Sequence, residues 1–140
     1  MSGDVERDIA WARIALQKEP DAVNMWIGNS KSVTALHKDN YENIYCQIIG
    51  SKHFTLLPPH EVACVGERTF RSATYVWDRD EGGLRIEEDD KGQEIPFPTW
   101  DPDHSEAQPT KFSHLSKPLR VKLDAGDMLY LPALWWGCGG

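Results

Sequence analysis

Residues 34–57 read TALHKDNYENIYCQIIGSKHFTLL, and this stretch decides the fold. It holds two runs rich in β-branched and aromatic residues, 44–49 and 52–57, which are typical of β-strands. A Gly-Ser pair at 50–51 separates the runs, and a two-residue link of this kind predicts a β-hairpin. Residues 33–39 are predicted to form a further short strand or the approach to one. The stretch therefore predicts antiparallel β-structure.

The sequence on either side adds one helix and several more strands. Apolar residues at helical spacing predict an amphipathic helix from Asp4 to Lys18. Further strands are predicted over residues 73–77, 119–123 and 128–131. Short strands alternating with Gly, Pro and Asp turns after a single leading helix predict a mainly β domain, either a sandwich or a barrel.

The whole chain, 1–140, is predicted to form one domain in four consecutive parts. These are a leading helix, a strand-rich part, an irregular acidic insert and closing strands, at 1–19, 33–57, 60–118 and 119–136. Acidic side chains concentrate in the insert, and an acidic run is most often a solvated loop.

Composition narrows the class of protein. The chain has 140 residues and a net charge of -7, which fits one acidic domain. A nucleic-acid binder or a protein docked on anionic lipid normally needs a basic face, so we expect neither nucleic acid nor membrane as a partner. Three scattered cysteines predict no disulfide framework. The start lacks the features of a signal peptide, so cytoplasmic and/or nuclear localisation is expected.

His37 and Asp39 are the first residues that point to chemistry. They are two positions apart in or beside a predicted strand, so both side chains face the same side. An imidazole and a carboxylate that converge in this way form half of the two-His-one-carboxylate triad that holds non-haem Fe(II). The pair also occurs by chance in ordinary strands, so both interpretations stay open on this evidence alone.

Lys52 is the second such residue. In its predicted strand it shares a face with Phe54 and Leu56. A lysine at the rim of an apolar face needs an anionic partner or must extend into solvent. A bound dicarboxylate would be such a partner, and a surface lysine at the end of a turn is the alternative.

Two longer runs carry a resemblance to a known family. The runs TALHKDNYENIYCQIIGSKHFTLLPP (34–59) and LDAGDMLYLPALWW (123–136) resemble the JmjC family of 2-oxoglutarate- and Fe(II)-dependent dioxygenases. The likeness extends from the helix around Trp11 to Trp136. It implies a double-stranded β-helix, also called a jelly roll or cupin-like fold, with Fe(II) as cofactor and 2-oxoglutarate as co-substrate.

The resemblance also implies a role for six residues. It identifies His37 and Asp39 as iron ligands. It implies that Lys52, Thr34 and Tyr45 bind the distal carboxylate of 2-oxoglutarate. Asn43 is implied to be a polar residue near both the metal and the co-substrate. Thr34 precedes His37 by three positions, so simple alternation would place the two side chains on opposite faces. A bulge before His37 is therefore expected.

The chain departs from the family after Trp136. The family has a histidine there as third iron ligand, whereas this chain has Gly137, which has no side chain. Cys138 is one residue out of register, and on a strand it would face away from His37. Because two ligands hold Fe(II) less well than three, low or absent activity is expected. Relative to the family fold, the domain is also expected to be truncated at both ends.

The leading hypothesis is a JmjC-type protein hydroxylase that acts on a side chain, with lysine as the favoured target. Its partner would be a protein substrate with a lysine-bearing segment. A non-catalytic cupin-like binding module is the alternative. A JmjC-type peptidase is a further alternative, although the H-E-x-x-H arrangement of zinc peptidases is absent from the sequence.

Overall fold

The computed structural model describes residue 6, residues 8–89 and residues 92–140. This part of the chain is mainly antiparallel β-structure, with ten strands and two short α-helices. The strands are β1 Thr34–Lys38, β2 Asn43–Cys46, β3 Ser51–Leu57, β4 Arg68–Arg71, β5 Ala73–Asp78, β6 Gly83–Glu88, β7 Glu94–Phe97, β8 Leu119–Asp124, β9 Met128–Leu131 and β10 Trp136–Gly139. The helices are α1 Ala10–Leu16 and α2 Val62–Val65.

The main sheet contains four strands in the order β1-β10-β3-β8, all antiparallel. A two-stranded ribbon, β2-β9, lies against one side of it. Tyr45 on β2 contacts Phe54 on β3 edge-to-face, with ring centroids 5.0 Å apart. We call the side of the main sheet covered by β2-β9 the inner face. The mainly β, cupin-like fold expected from the sequence is confirmed.

The hairpin predicted across the Gly-Ser pair does not form. β2 pairs with β9, whereas β3 pairs with β10 and β8, so the two consecutive strands belong to different sheets. β2 also ends at Cys46, and the chain crosses from one sheet to the other over residues 47–50. Gly50 adopts a φ of 74°, a left-handed conformation that glycine adopts without strain. The sequence correctly predicted a turn at residues 50–51, but this turn connects strands of two different sheets and not two paired strands.

The hydrophobic core lies on the other side of the main sheet, which we call the core face. Its buried members come from β1, β3 and β10, from α2 and from the segment after β7. They are Leu36, Leu57, Val65, Trp100, Trp136 and Cys138. Leu57 and Val65 are completely buried. This packing closes the core face, whereas the inner face lies between the main sheet and the β2-β9 ribbon.

Residues 60–118 contain more regular structure than the irregular insert expected. They hold two further ribbons, β4-β7 and β5-β6, as well as α2. Glu87 and Glu88 lie in β6 and are exposed, so the acidic run belongs partly to a strand rather than to a loop. Asp90, the last residue of that run, lies outside the described residues.

The leading helix is shorter than predicted. α1 ends at Leu16, before the predicted stop at Glu19, and the next residue, Gln17, adopts a left-handed φ of 51°. Of its apolar residues Ala12 is buried, whereas Trp11 and Ile14 are more than half exposed. The predicted start at Asp4 lies outside the described residues. None of the helices in the described part of the chain combines the length and apolar character that a membrane crossing requires.

Candidate metal and co-substrate site

Strand β10 lies between β1 and β3, and residues on both of these strands pair in register with it. His37 on β1 lies directly opposite Gly137, which lies opposite Leu56 on β3. Directly opposed residues in antiparallel strands project to the same face. A Cβ added at Gly137 would contact Leu56 Cδ2 and Leu131 Cδ2, and Leu131 belongs to the β2-β9 ribbon. His37 and Gly137 therefore share the inner face.

The register of β1 changes between Thr34 and His37. Thr34 lies opposite Gly139 while His37 lies opposite Gly137, so β1 uses three positions where β10 uses two. This irregularity is the bulge expected before His37. It brings Thr34 and His37 to one face, which simple alternation would not do.

The imidazole of His37 is oriented by its own strand. Nδ1 lies 2.9 Å from the carbonyl oxygen of Ala35, which can only accept, so Nδ1–H donates and Nε2 is the nitrogen that is left for another partner. This arrangement is typical of metal-binding histidines, whose second nitrogen is held by a carbonyl or carboxylate. The half-buried ring of His37 is thus oriented by this hydrogen bond, with Nε2 directed away from Ala35.

Asp39 follows β1 and is fixed by two neighbouring segments. The amide of Asn43 lies 3.5 Å from Asp39 Oδ2 and 3.2 Å from the carbonyl oxygen of Tyr41. The backbone N–H of Leu134 donates to the Asp39 carbonyl oxygen at 2.7 Å. Leu134 itself has a φ of 67°, a strained conformation for a side chain of this size. Asn43 thus lies next to the Asp39 carboxylate.

Gly137 leaves the third position without a donor. Among the residues that the structure describes, no third His, Cys, Asp or Glu ligand atom joins those of His37 and Asp39 in a cluster. The donors present therefore do not fit a complete three-ligand Fe(II) site. An added Cβ at Gly137 would lie 3.4 Å from Leu56 and 3.8 Å from Leu131, both ordinary contact distances, so the position could accept a side chain.

Cys138 does not replace the missing ligand. It lies opposite Thr55 and is buried on the core face, which confirms that it faces away from His37. Burial, reinforced by the negative charge of Asp103, raises the pKa of its thiol to about 12, so it is protonated at neutral pH.

A second group of possible metal ligands surrounds this thiol. Ligand atoms of Asp101, Asp103 and Cys138 lie within 4.8 Å of one another. Both Asp103 oxygens accept from the Thr55 hydroxyl, at 2.9 and 3.1 Å, and Arg120 lies 3.3 Å from one of them. Protein donors thus already satisfy this carboxylate. The group is best explained as a polar contact that holds residues 101–103 against the core face.

The predicted co-substrate residues gather around Gly139. The ammonium group of Lys52 donates to the Gly139 carbonyl oxygen at 3.2 Å, and Thr34 and Phe54 are both register partners of Gly139. Tyr45 approaches the same place through its contact with Phe54. Lys52 is half-buried on the inner face, as its alternation with Phe54 predicted.

Glycine is required at 139 because space there is limited. A Cβ at Gly139 would collide with the backbone carbonyl oxygen of His53 and would lie 3.4 Å from both Lys52 Cε and Phe54 Cδ1. Gly137 and Gly139 are two positions apart, about 7 Å along a strand, and face the same side. The residues at the Gly139 end offer one ammonium group, that of Lys52, as a partner for a carboxylate.

Some residues that shape the site were not singled out by the sequence. Lys38, between the two ligand positions, points to the core face: its ammonium lies 2.9 Å from Glu67 Oε1 and 4.3 Å from the centre of the Trp136 ring. These contacts fix β1 to β10 and to the segment after α2. Only the alternation of Lys38 with His37 and Asp39 signals its orientation, and nothing in the sequence signals its partners.

The chain is similar in sequence to several known proteins. Residues 2–136 match the model of a family described as a cupin-like domain. The chain is 38% identical over 133 residues to the human (Homo sapiens) bifunctional peptidase and (3S)-lysyl hydroxylase JMJD7. It is 36% identical over 140 residues to the lysine-specific demethylase JMJ32 of Arabidopsis thaliana. It is 34% identical over 141 residues to JmjC domain-containing protein E of Dictyostelium discoideum.

These alignments cover nearly all of this chain but a minority of each relative. They include 95%, 95% and 94% of the present sequence, and 42%, 41% and 40% of the human, Arabidopsis and Dictyostelium proteins respectively. The chain thus spans about two fifths of the length of these relatives.

Proposed function

Because this chain belongs to the cupin-like JmjC family, we propose that it is a 2-oxoglutarate- and Fe(II)-dependent protein hydroxylase in which the metal site has only two protein ligands. The observation that supports this most strongly is the register of β10, in which His37 lies directly opposite Gly137. Removing one of three donors weakens a site for Fe(II), a metal that N and O ligands already bind weakly among the first-row series. We therefore expect low iron occupancy and little turnover.

The protein's own contribution at the Gly139 end is to bind and orient the co-substrate. The Lys52 ammonium would pair with the distal carboxylate of 2-oxoglutarate, and the hydroxyl groups of Thr34 and Tyr45 would donate to the same group. A charge-assisted hydrogen bond of this kind contributes about 1.5–3 kcal/mol. Phe54 and Tyr45 would exclude water from one side of the bound acid.

The proposed substrate is a protein segment that carries a lysine. The human relative is named as a lysyl hydroxylase and the Arabidopsis relative as a lysine-specific demethylase. The net charge of -7 on this chain favours association with a basic segment.

A non-catalytic binding module is the second candidate. It is supported by the Gly139 end, where Thr34, Tyr45 and Lys52 come together without any contribution from the third-ligand position. Such a module would bind a 2-oxo acid without oxidising a substrate.

The deciding experiment measures succinate formation from 2-oxoglutarate in the presence of Fe(II) and lysine-containing basic peptides. The native chain, Gly137→His and His37→Ala are compared. We expect little or no succinate from the native chain, clear turnover from Gly137→His and none from His37→Ala. Failure of Gly137→His to turn over, although it folds and binds Fe(II), would favour the binding module.

A further inference from the structure

The β5-β6 ribbon carries a row of apolar side chains that project into solvent. Tyr75 lies directly opposite Ile86, and Trp77 lies directly opposite Leu84. Directly opposed residues in antiparallel strands share a face, and alternation along each strand brings both pairs to the same face. Each of the four residues is between 63% and 69% exposed. We call this surface the ribbon face.

The ribbon face belongs to a part of the fold that has few partners of its own. Among the described residues, β5 and β6 pair only with each other. A two-stranded hairpin is only marginally stable in water unless its apolar face packs against something. Apolar residues that are exposed singly are ordinary, whereas a contiguous patch with a polar rim is typical of an interaction surface. Two aromatic and two aliphatic side chains in adjoining positions form such a patch.

Carboxylates stand at both ends of the ribbon face. Glu88 projects to the same side at one end, and Arg71 approaches it only to 3.8 Å, in a pair whose side chains are both exposed and which is therefore weak. The turn at the other end, residues 79–82, contains Asp80 and Glu81 and one basic residue, Arg79. The rim of the ribbon face is thus acidic.

The opposite face of the ribbon balances its own charges. Arg85 lies 3.6 Å from Asp78 and 3.3 Å from Glu87, and all three residues project to the side opposite Trp77. The guanidinium group of Arg85 is therefore engaged away from the ribbon face. The carboxylates at the ends of the ribbon face are the ones left to attract a partner.

We propose that the ribbon face binds a basic amphipathic segment of a partner protein. The apolar side chains of the segment would pack on Tyr75 and Trp77, residue types that carry much of the energy of protein interfaces. Its Lys and Arg side chains would face the carboxylates at the two ends. A helix with one apolar side is a common occupant of such surfaces. A second copy of this chain is a poorer partner, because it brings the same carboxylates and a net charge of -7.

The test is the affinity of the native chain for a dye-labelled peptide of Leu and Lys at helical spacing, measured by fluorescence anisotropy. We expect this peptide to bind and a matched peptide with Glu in place of every Lys not to bind. Binding should weaken as salt is added, since the screening length falls from about 10 Å at 0.1 M to about 3 Å at 1 M. Absence of binding by the Leu/Lys peptide, or equal binding by both peptides, would overturn the inference.

Substitutions at one tryptophan locate the binding. Trp77→Thr keeps a residue that favours strands but removes the indole, and it should weaken binding about tenfold. Trp77→Tyr retains an aromatic ring and should keep most of the affinity. Trp26→Thr is the matched control, because Trp26 is 75% exposed and lies outside the ribbon. Equal losses in Trp77→Thr and Trp26→Thr would contradict binding at the ribbon face.

The contribution of the rim is tested by neutralising the turn. Asp80→Asn combined with Glu81→Gln should weaken binding about two- to fivefold, the range expected from exposed ion pairs. An unchanged affinity would show that the acidic rim does not select the partner. Circular dichroism of each variant verifies that it is folded.

Sedimentation of the native chain and of Trp77→Thr tests a second copy as the occupant. We expect the same oligomeric state in both, and a dimer that Trp77→Thr dissociates would overturn the inference. No metal, co-substrate or turnover enters any of these measurements, so their outcome is independent of the succinate assay.

Discussion

The two ends of the inner face of β10 differ in where their functional groups come from. Around Gly139 the side chains belong to other strands, with Thr34 on β1, Tyr45 on β2 and Lys52 on β3. Around Gly137 the metal end needs a donor from β10 itself, and glycine provides none. In the proposed site, a change at one residue would therefore weaken metal binding and leave the co-substrate end intact.

The largest expected effect comes from restoring the donor at the metal end. Gly137→His should raise the affinity for Co(II) or Fe(II) about 100-fold, because even groups behind the ligands change metal affinity about 10–100-fold. Isothermal titration of the metal-free protein measures the change. Gly137→Gln, which offers a side chain without an imidazole, is the control, and an equal gain in that variant would contradict the assignment.

A smaller effect is expected from removing the charge at the co-substrate end. Lys52→Ala should weaken binding of 2-oxoglutarate about 10–100-fold, since it deletes a charge-assisted hydrogen bond. Equilibrium titration with the co-substrate tests this. Lys122→Ala is the matched control. Lys122 is the register partner of His53, so it projects to the same face as His53, which is the face opposite Lys52. Comparable losses in both variants would show that Lys52 acts only through net charge.

The two glycines should also differ in their tolerance of a methyl group. Gly139→Ala should destabilise the protein by about 1–3 kcal/mol, because its Cβ collides with backbone that cannot move away easily. Gly137→Ala meets only ordinary contacts and should be neutral or stabilising, by up to about 1 kcal/mol. Urea unfolding measures both changes. Equal destabilisation by the two substitutions would contradict the described packing of β10.

The smallest effect concerns the opposite face of β10. The pKa of Cys138 is raised from 9.0 to about 12, so in alkaline solution the folded protein keeps a proton that the unfolded chain loses. Stability should therefore fall as the pH rises from about 9 to about 12, and Cys138→Ala should remove that part of the loss. Urea unfolding across this range compares the variant with the native chain.

The parts of the site that depend on local periodicity could be predicted from the sequence. Alternation placed Lys52 with Phe54. The resemblance assigned Thr34 and His37 to one site, and their three-residue spacing then required the bulge that the register of β1 contains. The same alternation placed Cys138 on the face opposite Gly137, which its burial beside Thr55 confirms. These features follow from the period of a strand and need no knowledge of its partners.

The parts that depend on strand partners could not be predicted in this way. A Gly-Ser link fits a hairpin and a crossover between sheets equally well, and tertiary contacts decide between them, so the pairing of β2 with β9 had no local signal. The hydrogen bond from His37 to the Ala35 carbonyl depends on the bulge geometry. Strands β4 to β7 are largely exposed, so burial imposed no clear pattern on their sequence.

The most direct test of the independence of the two ends is the binding of 2-oxoglutarate to metal-free protein. We predict measurable binding to the native chain, the same affinity in Gly137→His and a clear loss in Lys52→Ala. Binding that appears only after Gly137→His is loaded with metal would contradict the account, because the Gly139 end would then depend on the donor that this chain lacks.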